Sequence, residues 1–177
     1  LVREIQVFVI TLKTGELNTD VLRAIDEAIP FPLLYELHYD GAIQLWAAYK
    51  TPQIGQPARS STGAYHWSPW LSQHDPRRPL PVVLDMEQLY GQLLAPLLPH
   101  PARPGERLPQ HMARLTAIGQ AQRELAATER RLRGEKQYNR RLAIHTTLRQ
   151  QQQVLQQLLA PTRPQGAFDA EALDAES

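Results

Sequence analysis

The first apolar stretch, VREIQVFVITL over residues 2–12, carries Ile5, Val7 and Val9 at one parity and Phe8, Ile10 and Leu12 at the other. β-Branched and aromatic residues in such a run predict a strand, and apolar side chains at both parities predict that both faces are covered. TGELNT reads as a turn. Asn18 or Thr19 then caps a helix whose Val21, Leu22, Ile25, Ala28 and Ile29 share one face, and Pro30 and Pro32 stop it. LLYELHY and AIQLWAAYK flank Asp40-Gly41, a dipeptide suited to a tight hairpin turn because both central residues need positive φ. That turn sets Tyr39 opposite Ala42 and Glu36 opposite Leu45. Residues 52–64 show no alternation and read as loop, and YHWSPWLSQHDPRRPLP reads as a long ordered loop. PVVL predicts a short strand, and Asp85 with Gln88 three residues on predicts a capped helix over 86–98.

Beyond PHPARPGERLP, taken as a linker at 100–107, the period changes. Leu108, Leu115 and Gln122 repeat every seven residues, as do His111, Ile118, Leu125 and Leu132; a second run holds Leu142, Leu148, Leu155 and Leu159. Each stripe is narrow, so two antiparallel helices joined near Gly134 to Asn139 are expected to cover one another. The expected fold is α/β of the α+β type: a small mixed sheet with helices over 1–99, then an antiparallel helical hairpin over 108–160. The acidic, aperiodic residues 161–177 are expected to be disordered.

Net charge is +1 but unevenly spread. Residues 1–102 hold 7 basic and 10 acidic side chains, residues 103–149 hold 11 and 4, and residues 150–177 hold 1 and 4. A charged partner for the middle segment follows as an expectation. There is no cysteine, which excludes disulfides, thiolate metal sites and a cysteine nucleophile. No apolar run approaches the roughly 18 residues of a membrane span, and no charged-then-apolar leader is present, so a cytoplasmic protein without membrane contact is expected. The chain opens at Leu1 directly in strand-like sequence, and a preceding N-terminal segment is expected.

Candidate chemistry starts at Lys50, which closes an apolar strand as the lysine of a metal-dependent nuclease does. The acid expected two residues earlier is replaced by Ala48. Glu36 on the preceding strand falls on the opposite face under the hairpin register, unless a bulge shifts it. Lys50 is therefore read as the place where a buried strand surfaces; a nuclease site rebuilt from Glu4, Asp26, Glu36 and Lys50 is the alternative. His66, His74, His100 and His111 lack metal-ligand spacing, and the glycines form no phosphate loop, so no metal or cofactor is expected. Trp67 and Trp70 are read as packing the loop onto the sheet, with Arg77 and Arg78 beside them as candidates for an anion contact. The densest basic cluster is RRLRGEKQYNRR, in which Arg130, Arg133, Lys136, Tyr138, Asn139 and Arg140 are the candidate binding residues for a protein partner or nucleic acid.

AIPFPLLYELHYDGAIQLWAAYK, LPVVLDMEQLYGQLLAPLLP and GEKQYNRRLAIHTTLR resemble, in order and spacing, a bacterial family catalogued only as a domain of unknown function. Its genes lie beside those of Swi/Snf-type helicases, type III-like restriction enzymes and DNA methyltransferases in anti-phage clusters. The resemblance runs from about residue 1 to 159, with Glu135 to Arg140 its most specific part. It implies a non-catalytic accessory role, with a helicase or DNA methyltransferase as partner, possible contact with DNA, and no catalytic residue to carry over. Gly134 stands where a charged residue is expected, which questions helix continuity there at a cost of about 1 kcal/mol.

Overall fold

The computed structural model describes residues 2–53, 56–77 and 79–161. They belong to two compact units, Leu1–Pro101 and Ala102–Ser177. The acidic tail lies outside the described residues beyond Pro161.

The first unit is built on a mixed sheet of β1 (Gln6–Thr11), β2 (Leu33–Tyr39), β3 (Ala42–Gln53), β4 (Gln56–Trp67) and β5 (Leu71–Ser72). The order is β1-β2-β3-β4, with β5 also on β3. Only β1 and β2 are parallel, Phe8 lying opposite Tyr35, and that pairing requires a crossover. The crossover is α1 (Thr19–Ala28), whose N-cap Asn18 accepts from the Asp20 amide at 2.9 Å. Its inner face holds Leu22, Ile25, Asp26 and Ile29; Val21 and Ala28, expected on that face, point to solvent. Leu22 packs with Leu33, Tyr35 and Leu37, ringed by Phe8, Ile10, Leu12, Trp46 and Tyr65. Each such apolar side chain contributes about 2 kcal/mol on burial. This cluster lies between α1 and one face of the sheet, and on the reverse face Leu34 and Ala47 are buried as well. Contrary to expectation, β1 is covered on the α1 face alone: Val7 and Val9, on the other, are 61% and 62% exposed.

The β2–β3 hairpin has the expected register, Tyr39 opposite Ala42 and Glu36 opposite Leu45, around Asp40 (φ 45°) and Gly41 (φ 73°). Residues 52–64, expected to be loop, instead extend β3 and form most of β4. The alternation was missing because this outer strand buries little: Ser61, Gly63 and Ala64 are exposed, and backbone pairing to β3 at Ser61, Thr62 and Tyr65 holds the strand in place. PVVL is no strand. Pro79 and Pro81 remove amides from that stretch, and Val82 and Leu84 are 100% and 94% exposed. The capped helix is α2 (Met86–Leu94), with Asp85 accepting from the Gln88 amide at 2.8 Å. Pro96 turns its expected last residues into a 3-10 turn at Ala95–Leu97.

The second unit pairs α3 (Leu108–Gly134) with α4 (Tyr138–Leu159) through the turn at 135–137. They are antiparallel, since Arg103 and Arg114 at the start of the unit reach the carbonyls of Gln157 and Leu158 at the end of α4. Gly134 is the last residue of α3, so the helix stops where its continuity was questioned. The seam of α3 is His111, Ile118, Leu125 and Leu132 alternating with Arg114, Ala121 and Thr128. Of the Leu108–Leu115–Gln122 row, Leu115 is buried as expected and Leu108 half-buried, but Gln122 is exposed and Ala121 buried in its place. On α4 the inward row is Ile144, Leu148, Gln151, Leu155 and Leu158, whereas Leu142 and Leu159 are 59% and 41% exposed. Two of the four leucines were therefore misassigned, because spacing by seven alone leaves the second row of a heptad undetermined.

Candidate functional site

Lys50 does not surface. Only 1% of its side chain is exposed, and Nζ lies 2.9 Å from Oδ1 of Asp26, which is equally enclosed. The ammonium also donates to the carbonyl of Asp26 at 2.8 Å and to that of Ile29. Asp26 and Ile29 end α1, which has no basic residue of its own in its last turn. A cation from β3 thus satisfies carbonyls at the negative end of the helix dipole. The second carboxylate oxygen of Asp26 accepts from the Tyr65 hydroxyl, and burial together with that carboxylate pushes the Tyr65 phenol upward. Beside it a register shift between Ala48 and Lys50 interrupts the β3–β4 ladder. The Tyr90 hydroxyl fits there, accepting from the Lys50 amide at 3.3 Å and donating to the Ala48 carbonyl at 2.9 Å.

Glu36 is on the other face of the sheet. Arg77 grips it with two bonds, Nη1–Oε2 at 3.0 Å and Nη2–Oε1 at 2.7 Å, and His38 Nε2 lies 2.7 Å from Oε1. The Arg77 pairing holds the carboxyl below its ordinary range against the opposing effect of burial, with His38 acting in the same sense. The side chain of Glu4 is bonded to Gln6. Glu4, Asp26, Glu36 and Lys50 therefore do not converge: Asp26 and Lys50 meet under α1, and Glu36 meets Arg77 on the reverse. Among the described residues no three His, Asp or Glu side chains form a group that could hold a metal.

Arg77 is thus committed to a carboxylate, and Arg78 lies outside the described residues. The tryptophans do not gather beside Arg77 either. Trp67 belongs to β4, stacks on Trp46 at 4.6 Å between centroids, and is 54% exposed; Trp70 sits against Tyr39. Both were expected to be packed away, and both remain substantially open, Trp70 by 40%.

The base of the hairpin carries a buried ion pair missed by treating 100–107 as a linker. Arg114 contacts Glu106 with Nε–Oε1 at 2.7 Å and Nη2–Oε2 at 2.8 Å, and the Arg103 amide adds a bond at 2.8 Å to Oε2. Chiefly through Arg114, the Glu106 carboxyl is held down at about 2. Arg103 Nη2 caps α4 through the carbonyls of Gln157 and Leu158, each at 2.8 Å.

At the other end of the hairpin the charges are displayed. Arg133 lies in the last turn of α3 and Arg130 just before that turn, Lys136 in the connecting turn, and Tyr138, Asn139 and Arg140 in the first turn of α4; all are exposed, Tyr138 by 77%. Among the described residues none of the six cations from Arg130 to Arg141 stands in an ion pair, and Arg141 reaches only the Glu135 carbonyl at 3.3 Å. The geometry therefore brings the hairpin candidates together within the second unit, whereas Arg77 belongs to the first.

A family model described as a domain of unknown function, DUF4391, matches residues 1–155. The chain belongs to the DUF4391 family. The match runs through both units, so the hairpin is part of what defines the family. No curated protein and no solved structure matches the chain.

Proposed function

We propose that this DUF4391 protein is a non-catalytic accessory protein of a bacterial DNA-targeting defence system, and that the tip of its helical hairpin docks on an acidic surface of a helicase or DNA methyltransferase. The observation that carries this reading is the contrast in how charges are used. Asp26, Lys50, Glu36 and Glu106 are each enclosed with partners, whereas Arg130, Arg133, Lys136 and Arg140 are exposed outside any ion pair among the described residues. An exposed cluster of one sign favours encounter with a surface of the opposite sign. The test is capture of the helicase or methyltransferase by the tagged chain from cells expressing the gene cluster, with and without nuclease treatment. Capture that survives nuclease and is abolished by the quadruple change of Arg130, Arg133, Lys136 and Arg140 to Ala is expected. Capture indifferent to the four changes would reject docking through the tip.

The exposed ring of Tyr138 among the cations supports a second reading, direct contact with nucleic acid by stacking and phosphate pairing. In that case capture is lost on nuclease treatment. DNA affinity then falls with salt, and Lys136→Ala flattens the log-log slope by about 0.9.

A further inference from the structure

We propose that the end of the sheet beside the β2–β3 turn is a binding site for a guanidinium group, the side chain of an arginine presented by a partner protein. This inference is independent of the hairpin tip. A cleft of about 350 Å³ opens there, lined by Gly15, Tyr39, Asp40, Ala42 and Trp70. The rings of Tyr39 and Trp70 stand 6.4 Å apart at 57°, forming a corner with two aromatic walls. They are 38% and 40% exposed, while Tyr35, four residues back on the same face of β2, is fully buried.

Each wall is held in place by the fold. A Cβ on Gly15 would come within 3.2 Å of Cε1 of Tyr39, so glycine lets the β1–α1 loop close on that ring. Trp70 follows Ser68, which is fastened to β3: its amide donates to the Leu45 carbonyl at 2.9 Å, its hydroxyl accepts from the Leu45 amide at 3.0 Å, and its carbonyl accepts from Gln44 at 2.9 Å. Asp40 is fixed by the tight turn, and the Gln73 amide ties β5 to the Gly41 carbonyl at 3.0 Å. Little ordering is left for a ligand to impose.

The chemistry of the lining selects the occupant. Its one charge is the Asp40 carboxylate, which stands in no ion pair among the described residues. Aromatic faces beside a carboxylate attract an organic cation. Two walls leave one side open, which suits a flat guanidinium that stacks on one ring and turns its N–H fork to the carboxylate; a quaternary ammonium needs enclosure on more sides.

The test uses the full chain and three blocked tripeptides, glycine-X-glycine with X as arginine, citrulline or lysine, followed by NMR through the Trp70 indole N–H. Citrulline keeps the shape of arginine and removes its charge. The arginine peptide is expected to give a saturable shift at millimolar concentration, with citrulline and lysine weaker by about tenfold. Asp40→Asn keeps a residue that tolerates the left-handed turn and removes the charge, and is expected to weaken arginine by a similar factor while leaving the amide spectrum otherwise intact. No saturable shift overturns the proposal. So does citrulline or lysine binding as well as arginine, or an Asp40→Asn chain that binds arginine unchanged.

Discussion

Beneath α1, the ammonium of Lys50 is surrounded by the Asp26 carboxylate and two main-chain carbonyls, and 1% of its side chain meets solvent. At the hairpin tip, Lys136 stands in a three-residue turn, exposed, among five arginines and no acid but Glu135. The two lysines have the same chemistry and opposite employment. A buried ammonium with all three protons matched holds a helix against a sheet and has nothing left for a substrate. An exposed one with no partner costs almost nothing to the fold and is free to meet another molecule. Residue type at a suggestive position therefore says less than the number of oxygens already around it.

The contrast can be broken first at its buried end. Lys50→Ala leaves Asp26 enclosed without its countercharge and exposes the carbonyls at the end of α1; a loss of about 3–5 kcal/mol is expected in urea unfolding of the first unit. Adding Asp26→Asn should recover part of that loss, because the uncompensated charge is then gone. A wild-type midpoint for Lys50→Ala would mean the pair does not hold the fold.

The base of the hairpin gives an intermediate effect, readable by pH. The Glu106 carboxyl lies at about 2 when folded, against 4.5 as its ordinary value. Its pKa is lowered on folding, so its stabilisation is present in full above about 4.5 and is lost as pH falls towards 2. The full difference corresponds to about 3 kcal/mol. Thermal melts of Glu106→Gln and wild type should differ most near neutral pH and converge near pH 2. A gap that does not change with pH would refute the assignment of that stability to the carboxylate.

The smallest change in stability is expected at the tip. Replacing Arg130, Arg133, Lys136 and Arg140 by Ala should alter the midpoint by no more than about 0.5 kcal/mol per site, and in the stabilising direction if repulsion among the cations dominates. A larger destabilisation would show that these side chains support the hairpin, and would sharpen the contrast into one of degree.

The parts of this architecture that were legible in the sequence are those fixed over a few residues. Asp40-Gly41 set the register of β2 on β3, Asn18 and Asp85 marked the starts of α1 and α2, and Gly134 marked the end of α3. The parts that were not legible depend on distant partners. Asp26 sits on the inner face of α1 four residues after Leu22, but its cation is 24 residues away on a strand. The alternative nuclease site sets Asp26 and Lys50 in one group with Glu4 and Glu36, but spacing alone gives no sign that only these two meet. Glu106 was hidden in a proline-rich stretch that reads as a linker. β4 was hidden because an outer strand with little burial has no alternation to detect. The Tyr39–Trp70 corner needed the fold to join residues from two loops and a hairpin.

The Arg103 clamp on the last carbonyls of α4 has a mechanical consequence. A hairpin whose inward row repeats every seven residues has near-equivalent positions one heptad apart, so its helices could slide. Here the turn at 135–137 closes one end covalently and the arginine closes the other, which removes that freedom. Between them α3 runs 27 residues, a rod of about 40 Å at 1.5 Å per residue. The hairpin is a spacer of set length, and the cations at its tip are delivered at one fixed distance from its base.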